Sequence, residues 1–96
     1  VETLAARKVA LIITVDVGAV AFEGVAHANS LGIDVIVTDH HELTEKLPDA
    51  FAVINPKRPG YPFPHLCGAA VAFKLAQATF ARGRERKIPR FTAVPE

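Results

Sequence analysis

Cysteine is nearly absent from this chain: Cys67 is the single one in 96 residues. That excludes an internal disulfide and a thiolate zinc cluster, and it fits a reducing compartment. Charge of one sign is lacking too. Eleven Lys and Arg stand against ten Asp and Glu, a formal net charge of +1, so bulk electrostatics select neither nucleic acid nor membrane and local clusters must decide. The longest apolar run, Val9 to Val15, is too short to span a bilayer. The N-terminal residues do not show the charged-then-apolar order of a signal peptide, and no repeats or low-complexity tracts occur. What is present is the balance of a globular chain, half apolar and 22% charged, for which the cytoplasm is the expected location.

The apolar residues fall into an ordered pattern. "VALIITV", Val9 to Val15, is apolar on both faces and rich in β-branched residues, as expected of a strand covered on both sides in a parallel sheet. Ala21 to Leu31 places Phe22, Val25, Ala28 and Leu31 at helical spacing, with Gly32 as the residue that ends the helix. "IDVIVTD", Ile33 to Asp39, reads as a second buried strand, so the unit is β-α-β with a right-handed crossover and parallel neighbours. A polar loop leads to a short third strand, "FAVINP", Phe51 to Pro56. "PKRPGYPFPH" carries four prolines and is loop, and Gly68 to about Phe80 is a helix whose Val71, Leu75 and Ala78 make an apolar buried face. "RGRERKIPRF", broken by Gly83 and Pro89, reads as a loop or a frayed helix end.

This pattern is an α/β fold, a parallel β-sheet with flanking helices. In such sheets ligands bind outside the carboxyl ends of the strands. The reactive side chains stand there. Asp16 ends the first strand, and Asp39, His40 and His41 end the second, so neighbouring strands about 4.8 Å apart bring them together. Carboxylates with one or two imidazoles form a nitrogen and oxygen donor set suited to Mn²⁺, Mg²⁺ or Zn²⁺. Successive residues leaving a strand point in opposite directions, which lets one histidine ligate while the other faces substrate or a supporting partner. A plain polar loop exit is the alternative for the same residues.

Four stretches decide between these readings. "LIITVDVG" (Leu11 to Gly18), "GIDVIVTDHHE" (Gly32 to Glu42), "AVINPK" (Ala52 to Lys57) and "LCGAAVAFKL" (Leu66 to Leu75) together resemble the DHH phosphoesterase superfamily, in the branch of bacterial exonucleases specific for single-stranded DNA. The resemblance implies a Rossmann-like DHH domain that binds two divalent metals, Mn²⁺ or Mg²⁺, and hydrolyses phosphodiester bonds from a 5′ end in recombination and repair. It implies single-stranded DNA as partner, alongside repair or replication proteins, and no membrane. By the same resemblance Asp16 and His40 are metal ligands, His41 stands beside the scissile phosphate, and Asp39 orients the site. Gly68 either receives a phosphate at a helix start or permits close packing. Asn55 either touches substrate or holds a loop.

The departures from the family pattern are specific. Val17 replaces a small or polar residue, Ala70 a glycine, and the helix start near Ala21 has no Ser-x-x-Glu capping box. The family's first motif, an Asp-x-Asp-x-Asp-Gly type of run, and its later metal-binding aspartate do not occur within the 96 residues, nor do its DHHA1 and OB-fold domains. Residues 1–96 are therefore expected to be an internal part of a DHH domain, inactive by itself. Arg82, Arg84, Arg86, Lys87 and Arg90, with Phe91 nearby, are either a phosphate-contacting cluster or the solvated end of a helix. Cys67 reads as a packing residue. The competing functions are a smaller DHH phosphoesterase acting on oligonucleotides or cyclic dinucleotides, and a catalytically silent relative that binds DNA or a partner.

Overall fold

A computed structural model describes residues 1–92, with side chains through Arg90. Its elements are α1 (Glu2–Ala6), β1 (Leu11–Val15), α2 (Phe22–Ser30), β2 (Asp34–Thr38), β3 (Ala52–Ile54), α3 (Gly68–Glu85) and α4 (Pro89–Thr92). The three strands form one parallel sheet in the order β1-β2-β3. The expected α/β architecture and the β-α-β unit are therefore present.

The two faces of this sheet are filled differently. Ile12, Val35, Val37 and Val53 point toward α2 and join Val25, Ala28 and Ile33 in the core, where Val37 is fully buried. Full burial of a valine or isoleucine there contributes about 1.5–3 kcal/mol. The opposite face carries Leu11, Ile13 and Val15, and each remains about half exposed. This corrects the expectation of a first strand covered on both sides: β1 is an edge strand, and among the described residues only α3 lies across that face. An open apolar groove lined by Ile13, Val15, Leu75 and Phe80 separates the two. On α3 itself Val71 is buried, Leu75 is half-buried and Ala78 is exposed, so the apolar face is less buried than its pattern predicts.

The C-terminal third is more helical than expected. α3 runs through Gly83 to Glu85 instead of stopping near Phe80, because Gly83 is a buried packing position. The helix ends in paired bonds, from Lys87 N–H to the Arg84 carbonyl and from Ile88 N–H to the Gly83 carbonyl, with Lys87 at φ 56°. Pro89 starts α4 instead of breaking structure, since proline suits a first helical position. The side chain of Phe91 lies outside the described residues. Cys67 is exposed and starts α3 without a side-chain cap, so its expected packing role is not met.

What positions the site is the strand register. Val15 pairs with Thr38, and Thr38 with Ile54. The residues immediately after these three are Asp16, Asp39 and Asn55, so three polar side chains form a row across the carboxyl edge. Backbone bonds hold the row one step beyond the strands: Asp16 N–H donates to the Thr38 carbonyl at 3.0 Å and Asp39 N–H to the Ile54 carbonyl at 3.1 Å. The Thr38 hydroxyl, itself buried, donates to the Thr14 carbonyl at 2.5 Å.

Candidate metal centre

Asp39 is the centre of the row and is 1% exposed. A buried carboxylate is costly unless its oxygens are hydrogen-bonded. Here both are. Ala19 N–H donates to Oδ2 at 3.0 Å, and Oδ1 accepts from His40 N–H at 2.8 Å, from His41 N–H at 3.4 Å and from His41 Nδ1 at 2.5 Å. Burial pulls the Asp39 pKa upward, but the bonds from Ala19, His40 and His41 outweigh it and hold the carboxyl below its ordinary value. Asp39 is therefore an anion, and His41 must carry its proton on Nδ1. That leaves Nε2 on the far side of a ring that is largely exposed.

Ala19 reaches Asp39 because the chain turns sharply after β1. Gly18 sits at φ 111°, and a Cβ there would stand 3.0 Å from Thr14 Oγ1 and 3.1 Å from Val37 Cγ1. Only glycine meets both demands. The Thr14 hydroxyl closes the same turn by donating to the Val17 carbonyl at 2.7 Å.

Asp16 occupies the other side of the cluster. Its backbone lies at φ 65°, a left-handed conformation that aspartate tolerates better than most residues, and it points the carboxylate at His40. His40 Nε2 is 2.7 Å from Asp16 Oδ1. The start of α3 is pressed against the same side chain: a Cβ built on Gly68 would lie 2.5 Å from Asp16 Oδ1 and 2.6 Å from its Cγ. Gly68 thus permits a close approach that any other residue would block.

Asn55 is buried and ties two loops together. Its Nδ2 donates to the His41 carbonyl at 3.1 Å, and its Oδ1 accepts Lys57 N–H at 2.8 Å. Lys57 Nζ in turn donates to Glu42 at 2.8 Å, and this bond and charge hold the Glu42 carboxyl below its ordinary range. The segment from His40 to Glu42 is therefore fastened from below by Asp39 and from the side by Asn55 and Lys57.

One ligand atom from each of Asp16, Asp39, His40 and His41 lies within 4.8 Å of all the others. The set offers two carboxylates and two imidazoles, a donor chemistry that fits a divalent cation. Asp39 has both oxygens committed to hydrogen bonds, whereas Asp16 is largely exposed and holds one side-chain partner. His40 Nε2 has one site, which serves either as donor to Asp16 or as ligand. Of the four, Asp39 has hydrogen bonds on both oxygens, Asp16 and His40 are paired with each other, and His41 is engaged through Nδ1.

The sequence placed all four of these residues at one edge, but it missed the parts that hold them. Ala19 N–H, the Thr38 hydroxyl and the Lys57 to Glu42 bridge carry no motif. Gly18, directly after "DV" at a strand end, was the one readable signal. The basic residues from Arg82 to Arg90 lie at the opposite end of α3, which at 1.5 Å per residue is about 26 Å from Gly68.

The profile of the DHH family, N-terminal domain, matches residues 1–94. The chain is 54% identical over 74 residues to the single-stranded-DNA-specific exonuclease RecJ of Bacillus subtilis (strain 168), covering 75% of this chain and 9% of that protein. It is 50% identical over 88 residues to RecJ of Salmonella typhimurium, covering 88% of this chain and 15% of that protein. It is 46% identical over 99 residues to RecJ of Escherichia coli (strain K12), covering 99% of this chain and 17% of that protein. The chain thus spans less than a fifth of the length of these relatives. No solved structure matches it.

Proposed function

The chain belongs to the DHH family, and on that premise we propose that it is part of the catalytic domain of a metal-dependent exonuclease that hydrolyses single-stranded DNA from 5′ to 3′ in recombination and repair. The observation that carries this reading is the convergence of Asp16, Asp39, His40 and His41 within 4.8 Å at the carboxyl edge of the sheet. The relatives' names supply the substrate class, and their length supports placing the rest of the catalytic domain outside these 96 residues. No helix of the described residues is long and apolar enough to cross a membrane. A cytoplasmic location, where chromosomal DNA and repair proteins are at hand, is part of the proposal.

Asp16 and His40 would hold the metal, Mn²⁺ or Mg²⁺, with further ligands from outside the segment completing a two-metal site. Bound divalent ions supply Lewis-acid polarisation of the phosphoryl group and a lowered pKa for the attacking water. The chain's own residues do the remainder. Asp39 fixes the His41 ring through Nδ1 and so sets the direction of Nε2, which would face the scissile phosphate and, when it carries a proton as well, donate to charge developing there. The short tie from Asn55 to the His41 carbonyl keeps that ring in place. Gly68 brings the first turn of α3 against Asp16 and limits where that carboxylate can swing. No side chain is needed as nucleophile.

The test is metal-dependent degradation of 5′-labelled single-stranded DNA by the full-length protein. Asp16→Ala and His40→Ala are expected to abolish it while the wild type degrades the strand. Full activity in both variants would overturn the assignment, and faster turnover of dinucleotides than of long strands would redirect it to a small-substrate phosphoesterase.

A further inference from the structure

The loop between β3 and α3 exposes three aromatic rings that the core and the metal centre leave unused. Tyr61 is 43% and Phe63 54% exposed, and His65 is exposed as well. The buried core of the described residues, by contrast, contains no aromatic side chain.

The loop is stiff. Pro56, Pro59, Pro62 and Pro64 fix four of its φ angles, and Gly60 at φ 93° makes its turn. Its entry is pinned by Lys57 N–H on the Asn55 carbonyl group of the side chain at 2.8 Å and by Arg58 Nη1 on the Val53 carbonyl at 2.9 Å. Phe63 and His65 hold each other at nearly a right angle, ring centroids 5.6 Å apart and planes at 84°. Rings fixed in this way lose little entropy when something stacks on them.

Both ends of the loop touch the metal centre. It leaves from Asn55, whose amide holds the His41 carbonyl, and returns at Gly68, which is pressed against Asp16. His65 is three residues from Gly68 and Phe63 five, so chain reach keeps their Cα atoms within about 11 Å and 18 Å of it. The loop's own charged residues are all cations, although Lys57 is paired with Glu42. Between Asp49 and Glu85 the sequence contains no acidic residue, while Lys57, Arg58 and Lys74 stand in or beside the loop. Tyr61 and Lys74 line one small cleft together with Asn55.

We propose that Phe63 and His65, with Tyr61 beside them, form a platform on which bases of single-stranded nucleic acid stack as the strand passes the metal centre. The proposal rests on the exonuclease reading and names how the strand is held. Every base has a π-face, so the platform would tolerate any sequence, and the flanking cations match the phosphates. A base inside a duplex already has both faces covered by its neighbours. An unpaired strand offers base faces along its length, whereas a duplex offers one only at its end, so the platform favours single strands.

The experiment uses the full-length protein and two 5′-labelled oligonucleotides, one normal and one with abasic sugars near the 5′ end that keep every phosphate. Phe63→Ala and His65→Ala are expected to raise KM for the normal strand about tenfold, with kcat within about twofold of wild type. The abasic strand should cost the wild type a similar factor and cost the Phe63→Ala/His65→Ala double variant little further. Phe51→Ala removes another exposed aromatic, at the opposite end of β3, and should leave KM unchanged. Wild-type KM in both platform variants would overturn the proposal. So would a raised KM that the abasic strand raises again by the full factor, because the rings would then be acting through the fold and not through bases. If the exonuclease reading itself fails, the wild type degrades neither strand, a result seen before any variant is made.

Discussion

Asp16 and Asp39 occupy adjacent places in the same row of the sheet, yet they are treated in opposite ways. Asp39 is sealed off, with three donors on one oxygen and one on the other. Asp16 is largely exposed on a left-handed residue, and its oxygen is shared with one imidazole. The difference teaches that proximity to a site does not decide a carboxylate's role; the number of donors already spent on it does. A saturated carboxylate orients its neighbours, and an undersaturated one has capacity left for a cation.

This contrast predicts opposite consequences of mutation. His40→Ala and Asp16→Ala should lower metal-dependent nuclease activity of the full-length protein on the order of a thousandfold, the loss of several kcal/mol of transition-state stabilisation. Their thermal unfolding should stay within about 1 kcal/mol of wild type, because both side chains reach solvent. Asp39→Ala should reverse the pattern. It strands the buried Ala19 and His40 N–H groups, and an unfolding midpoint shift equivalent to roughly 2–4 kcal/mol is expected, with a smaller activity loss of about 10–100-fold. A stable but inactive Asp39→Ala protein would break the comparison.

Gly68→Ala sharpens it. The added methyl would stand 2.5 Å from Asp16 Oδ1, so the carboxylate must move or α3 must back away. Metal affinity, followed by titration, should fall about tenfold or more with a stability cost of about 1–3 kcal/mol. Asn55→Ala acts only through the His41 carbonyl and the Lys57 N–H, and should cost about 1–2 kcal/mol in the unfolding midpoint.

The smallest effect concerns pH. Asp39 has its carboxyl held below the ordinary 3.8 by its hydrogen bonds, so its contribution to stability is complete above that value. It is lost as pH falls below 3.8 toward the lower folded value, where the native carboxylate finally takes up a proton. Acid unfolding of the metal-free protein should therefore be shallower in Asp39→Asn over that window. An unchanged acid profile would mean that the carboxylate is not held as the bond lengths indicate.

Much of the candidate site was legible because it depends on strand ends. An apolar run stopped by Asp16 and another stopped by Asp39-His40-His41 place polar groups at one edge of any parallel sheet, and the in-register pairing of Val15 with Thr38 does the rest. The supports were not legible. Ala19 lies twenty residues from Asp39, and its N–H carries no side-chain signature. The role of Gly68 depends on how closely α3 approaches β1, a packing distance that periodicity does not encode. The same limit explains the extended α3: Gly83 looks like a breaker until it is found buried, and Pro89 looks like a stop although a proline also begins helices. The half-exposed face of β1 was misread for a related reason. A run such as "LIITV" records that both faces are apolar, but not whether an element is present to cover each one.

The measurement that bears most directly on the central claim is a Mn²⁺ titration of the full-length protein followed by electron paramagnetic resonance, comparing wild type with His40→Ala and Asp39→Asn. We expect His40→Ala to lose a bound equivalent or weaken at least about tenfold, while Asp39→Asn, whose one oxygen can still accept from His40 and His41 though its amide then faces Ala19 N–H, retains most of the affinity. Equal Mn²⁺ binding by wild type and His40→Ala would contradict this expectation and would remove the division between ligating and orienting residues on which the mechanism depends.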